Sequence, residues 1–133
     1  MLLIDTHVLI WLKDKPNHIG IEAASRLESA MAAGEVWLSA ISFWEIGMLV
    51  RRRKIEITVP LARWRAELAA RTIVEIPIDG LTAAQAGELD WEHGDPADRI
   101  IVATAMRLGL SLLTADRKIL SWRGPVNLID AQA

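Results

Sequence analysis

The chain contains no cysteine, which excludes disulfides and thiolate metal sites and removes one usual sign of secretion. No apolar run approaches the ~18 residues that a membrane span needs. The opening Met-Leu-Leu-Ile-Asp-Thr-His-Val-Leu-Ile-Trp-Leu is apolar, but it lacks a basic start and is interrupted by Asp5 and His7. It reads as a buried strand entering a helix rather than a leader, so a cytoplasmic location without membrane contact is expected. Positive charge is not in excess either. Fifteen Lys and Arg against 17 Asp and Glu leave a net charge of −2, which argues against a strongly basic nucleic-acid coat. No linker, repeat or low-complexity tract divides the 133 residues, so one domain spanning 1–133 is expected, with a single sizeable core. A hydrophobic content of 52% excludes disorder and leaves apolar surface for a partner.

What the chain does have is alternation. Leu2 to Asp5, Val36 to Ser39, Ile73 to Pro77, Ser111 to Leu113 and Val126 to Ile129 read as five short strands. Between them lie helical patterns over His7–Lys13, Gly20–Ala33, Ile41 to about Arg53, Pro60–Arg71, Thr82 to about Leu89, and the segment from Pro96 to Gly109. Pro60 reads as a helix opener, and Thr82 with Gln85 as a capping box. Asp95 then Pro96 announce a helix apolar nearly all round through Ile100, Ile101, Val102, Ala103 and Ala105, as a central packed helix would be. Strands alternating with helices predict an α/β fold, a three-layer α/β/α sandwich around a mostly parallel five-stranded sheet.

In such a sheet the carboxyl ends of the strands share one edge, where ligands bind. Four carboxylates fall where a strand gives way to a helix: Asp5, Glu45, Asp98 and Asp116. Acids gathered there repel one another, and a divalent cation such as Mg²⁺ or Mn²⁺ relieves the repulsion while activating water. Each acid also has a structural reading. Ser42 and Glu45 match a capping box, Asp95 with Asp98 suit the first turn of a helix, and Asp116 suits a cap after a strand. Asp5, directly after a buried apolar strand, is hardest to explain that way.

The joint pattern resembles the PIN-domain nucleases over essentially the whole chain. It is closest to the VapC-type toxins of bacterial toxin–antitoxin pairs, through Leu-Leu-Ile-Asp-Thr-His-Val-Leu-Ile-Trp, Ser-Ala-Ile-Ser-Phe-Trp-Glu-Ile, His-Gly-Asp-Pro-Ala-Asp-Arg-Ile-Ile-Val-Ala-Thr-Ala and Leu-Leu-Thr-Ala-Asp. The resemblance carries the family's metal-binding acids onto Asp5, Glu45, Asp98 and Asp116. It implies a Mg²⁺- or Mn²⁺-dependent endoribonuclease, neutralised by a small antitoxin and often a homodimer. Asp5, Asp98 and Asp116 are then expected as metal ligands, with Glu45 as a ligand or as the base that orients water. Asp98 is favoured over Asp95 as ligand, leaving Asp95 as a cap or as an acid that supports a ligand. Thr6 and Thr114 could hydrogen-bond a ligand or a water, or cap locally.

The remaining candidates carry weaker signals. His7 and His93 lie near the acids but form no zinc pattern. Arg51, Arg52, Arg53 and Lys54 read as a solvated helix end or as a track for the RNA backbone. Trp44 and Trp64, on adjacent helices, are the candidates for an apolar antitoxin groove. Two rival readings stand: an aspartyl-phosphate phosphatase built on Asp5, which would want a second acid where His7 stands, and a non-catalytic RNA-binding module, which would be expected to have lost an acid.

Overall fold

The computed structural model describes all residues, 1–133. Its order is β1 (Leu2–Ile4), α1 (Thr6–Asp14), a 3₁₀ turn (Pro16–His18), α2 (Ile21–Ala32), β2 (Val36–Ser39), α3 (Ile41–Arg51), α4 (Leu61–Ala70), β3 (Val74–Ile76), α5 (Gly80–Glu88), α6 (Pro96–Leu108), β4 (Ser111–Thr114), α7 (Arg117–Leu120) and β5 (Leu128–Asp130). The sheet runs β3-β2-β1-β4-β5. All four pairings are parallel, with Leu3 of the central β1 beside Trp37 and Leu112, so no antiparallel strand is present.

A parallel sheet buried on both faces needs apolar residues at successive positions, and Leu2, Leu3 and Ile4 supply them. Leu2 and Ile4 enter a core with Val8, Leu9, Leu27, Ile46 and Trp64. Leu3 points the other way, into a core with Ile101, Val102, Leu112 and Ile119. The two faces make the sandwich three layers deep. Fully burying a side chain of this kind is worth about 1.5–3 kcal/mol, so the central strand alone anchors both layers.

Several local details differ from the sequence reading. Pro60 is the N-cap of α4 rather than its first helical residue. Helix α5 starts at Gly80 with Asp79 as cap, its side chain accepting from the Thr82 N–H, so the expected Thr82–Gln85 box does not form. Ser42 and Glu45 form no capping box either, because α3 begins behind Ala40 without a side-chain cap. At α6 the reading of Asp95 as N-cap and Pro96 as first residue agrees with the structure. Gly109 closes that helix at φ 65°, in the left-handed region that favours glycine.

Candidate active site

The carboxyl edge of the sheet collects the sequence-predicted acids through the way the chain leaves each strand. Asp5 follows β1 directly and caps α1, its Oδ1 accepting from the Thr6 N–H at 2.7 Å. Its Oδ2 accepts from Thr114 Oγ1 at 2.7 Å, at the end of β4. With both oxygens engaged and only 3% of its surface exposed, Asp5 is a fixed acceptor at the floor. Thr114 Oγ1 also accepts from the Asp116 N–H at 3.1 Å, and Asp116 Oδ1 in turn caps α7 through Lys118 N and Ile119 N.

Glu45 sits on α3, one turn past Ser42. Thr6 Oγ1 donates its proton to Glu45 Oε1, which leaves Ser42 Oγ, 2.8 Å away, to donate to Thr6. Ser42 therefore serves the site through Thr6 and not the helix end. Asp98, in the first turn of α6, is buried, and its N–H is capped by Asp95 Oδ1 at 3.1 Å. One carboxylate oxygen each from Glu45, Asp95 and Asp98 lie within 4.8 Å of one another. Asp95 is thus a cap and a member of the acid cluster at once. Asp5 and Asp116 lie outside that tightest set.

The charges are coupled. Burial, with the charges of Asp5, Asp98 and Asp95 adding to it, pushes the Glu45 carboxyl up to about 7 against the opposing hydrogen bond from Thr6. Burial likewise raises Asp98 to about 6, helped by Asp5, Asp95 and Asp116 and opposed by His93. The only basic side chains against these acids are His7, whose Nδ1 is 3.7 Å from Asp5 Oδ2, and His93, whose Nε2 is 2.6 Å from Asp98 Oδ2. No lysine or arginine pairs with any of them. An all-oxygen cluster of close, unneutralised carboxylates is the donor set that a hard divalent cation prefers, so these residues fit Mg²⁺ or Mn²⁺.

A family model for the PIN domain matches residues 2–122. The chain belongs to the PIN-domain family. This PIN domain is 34% identical over 125 residues to ribonuclease VapC22 of Mycobacterium tuberculosis, a match covering 93% of each chain. It shares its fold with a toxin–antitoxin complex from Klebsiella pneumoniae (TM-score 0.65, 22% identity, 98% of each chain). It also shares it with VapBC2 from Rickettsia felis bound to a promoter DNA fragment (TM-score 0.70, 16% identity, 96% of each chain).

Other candidates of the PIN domain land elsewhere. Arg51, Arg52, Arg53 and Lys54 are all exposed and pair with no acid of the site; Arg51 lies six residues past Glu45, about 9 Å along α3. Trp44 and Trp64, the candidates for an antitoxin groove, sit in opposite surroundings. Trp44 is 56% exposed, whereas Trp64 is 3% exposed, part of the core beneath Lys13, whose Nζ lies 4.5 Å from its ring centroid. A groove of about 370 Å³ does separate α3 from α4, but Phe43, Ala62, Ala66, Ala69 and Ile73 line it. A cavity of about 760 Å³ is bounded by Leu89, Met106, Arg107, Trp122 and Arg123 and contains none of the clustered acids. No helix is long and apolar enough to cross a membrane.

Sequence reasoning missed Ser42, the hydrogen bond of His93 to Asp98, and the contact of His7. The Ala115 N–H donates to His7 Nε2 at 2.8 Å, which puts the ring proton on Nδ1, toward Asp5. For His93 a signal existed: it stands five residues before Asp98, in the loop that leads into α6.

Proposed function

We propose that this PIN domain is the endoribonuclease toxin of a VapBC-type toxin–antitoxin pair, hydrolysing RNA phosphodiesters at a Mg²⁺ or Mn²⁺ site made by Asp5, Asp98 and Asp116 with Glu45. The convergence of Glu45, Asp95 and Asp98 within 4.8 Å, without a lysine or arginine to neutralise them, carries the reading. Likeness to a relative named as a ribonuclease supports the substrate class. Bound among these carboxylates, the cation supplies Lewis acidity toward a phosphoryl oxygen and lowers the pKa of water.

The chain's own residues do the rest. Glu45, half-buried beside the other acids with its Oε1 held by Thr6, is placed to take a proton from the attacking water. Thr6 fixes its Oε1, while Thr114 and the Thr6 N–H hold Asp5 in place. The exposed run Arg51–Lys54 meets the phosphate backbone of the RNA as it approaches the acids. The α3–α4 groove lined by Phe43 takes an amphipathic segment of the antitoxin, and the toxin acts as a homodimer. Asp5, buried with both oxygens hydrogen-bonded, is a poor covalent nucleophile, which disfavours the phosphatase reading.

The test is cleavage of RNA by the purified chain. EDTA should abolish it, Mg²⁺ or Mn²⁺ should restore it, and the products should carry 5′-phosphate and 3′-hydroxyl ends. Full activity in excess chelator, or cyclic 2′,3′-phosphate ends, would overturn the metal–water mechanism. Expression of the chain alone should arrest growth, and co-expression of an adjacent antitoxin gene should relieve the arrest.

A further inference from the structure

Helix α5 ends at Glu88 and α6 begins at Pro96, and residues 89–95 between them contain neither helix nor strand. Their carbonyls and the last ones of α5 need partners. One side chain serves five of them. The Arg99 guanidinium donates to the carbonyls of Ala86, Gly87, Leu89, Trp91 and His93 at 2.6–3.3 Å. A single cation thus ties the end of α5 to Leu89, Trp91 and His93 of the connection.

Aromatic rings pack in series at that connection, the Trp91 and His93 planes tilted by 53°. Trp122 packs on Trp91 with centroids 5.1 Å apart and planes 25° apart, and Trp91 packs on His93 at 4.8 Å. Trp122 is fixed in turn by its Nε1–H, which donates to the Asp90 carbonyl at 3.3 Å, and by Gly124, where an added Cβ would come within 2.2 Å of the indole. Backbone and ring of His93 are therefore both set before any ligand arrives. Its side chain is 15% exposed, and its Nε2 faces Asp98 Oδ2 at 2.6 Å. A ring nitrogen committed to a carboxylate at that distance is not a metal ligand. It is an orienting group for a ligand, and such groups matter nearly as much as the ligands themselves.

We propose that His93 is a positioning residue: clamped by Arg99 and Trp91, it takes one oxygen of Asp98 and so presents the other to the cation. The inference rests on the metal site of the proposed function. Asp98 is short, buried and flanked by Asp95, and no other side chain hydrogen-bonds its carboxylate. Without the His93 donor, nothing in the chain sets the rotation of that carboxylate against the repulsion of its neighbours.

Two substitutions separate the donor from the ring. His93→Phe keeps a ring to stack on Trp91 and removes the donor; His93→Gln keeps an N–H donor and removes the ring. Mn²⁺ titration of the full chain by electron paramagnetic resonance, with folding checked by circular dichroism, should show affinity about 10–100-fold weaker in His93→Phe and near wild type in His93→Gln. Cleavage by His93→Phe should recover as Mn²⁺ is raised, because the defect lies in loading and not in the chemical step. Arg99→Lys, which retains charge but cannot span five carbonyls, should weaken Mn²⁺ binding in the same direction. A folded His93→Phe that binds Mn²⁺ like wild type, or a His93→Gln as weak as His93→Phe, would overturn the proposal. If the wild-type chain itself neither binds Mn²⁺ nor cleaves RNA, the proposed function fails instead, so the two failures are distinguishable.

Discussion

Asp5 and Glu45 reach the same edge of the sheet under opposite conditions. On the β1–β4 side every polar group is answered: Asp5 receives hydrogen bonds on both oxygens, and Thr114 serves Asp5 and the Asp116 backbone together. On the α3–α6 side Glu45, Asp95 and Asp98 converge with few donors among them, and Glu45 and Asp98 are pushed up to about 7 and about 6. One side is finished by folding, and the other is left in tension for something charged to relieve. Acids answered by donors build the frame, and acids crowded against like charge mark where a ligand acts.

The comparison is sharpest in substitutions with opposite consequences. Glu45→Gln removes a charge from the tense side. RNA cleavage should fall about 10²–10⁴-fold, while the metal-free protein at pH 8 should melt no lower than wild type, because a buried charge is gone. Asp5→Asn, on the satisfied side, should lose activity and also destabilise by about 1–3 kcal/mol, since an amide cannot accept on both oxygen positions. Chemical denaturation of both variants measures this. If Asp5→Asn is neutral and Glu45→Gln is destabilised, the two sides have been assigned the wrong way round.

A pH series tests the same tension more gently. Glu45 and Asp98 rise from ordinary values of 4.5 and 3.8, so between those values and about 7 the folded state holds more protons than the unfolded one. Stability contributed by these groups is then present at low pH and lost as pH rises to about 7. Melting in EDTA should show this decline, Glu45→Gln should flatten it, and Mg²⁺ or Mn²⁺ should restore stability most at the high-pH end. The smallest effect belongs to the region remote from both sides. Arg51→Ala with Arg52→Ala should change stability by no more than about 0.5 kcal/mol, yet lessen the salt dependence of RNA binding by roughly one unit of slope for each phosphate no longer neutralised. An unchanged salt slope would remove this run from the RNA path.

How much of this was legible depended on whether a feature is local. Strand β2 and the Asp95–Pro96 start of α6 were read from neighbouring residues and match the structure. The caps of α3 and α5 misled because S-x-x-E and T-x-x-Q patterns are cheap locally, while tertiary partners decided otherwise: Ser42 turns to Thr6 across 36 residues. Trp64 looked like a surface anchor from helix adjacency alone, but an indole with Lys13 above it and core on its other side is filling. The acids were visible because strand ends gather them regardless of detail, and three of them, Asp5, Asp95 and Asp116, prove to be helix caps as well. Capping and ligand duty coincide because a helix N-terminus favours an ionised carboxylate. Arg99 was invisible as an organiser, since nothing in a sequence says which carbonyls a guanidinium will find.

Strand β1 is made first and lies in the middle of the sheet, between β2 and β4. The hydrogen bond that fixes Asp5 comes from Thr114, 109 residues later. At roughly 5–20 residues per second of synthesis, on the order of ten seconds separate the appearance of the two partners. Contacts so distant along the chain also close slowly, because the intervening loop entropy must be overcome first. The acidic edge therefore cannot assemble on a partly made chain. Whatever activity that edge carries is thus absent until Thr114 has been made, and the chain passes through synthesis with no site at all.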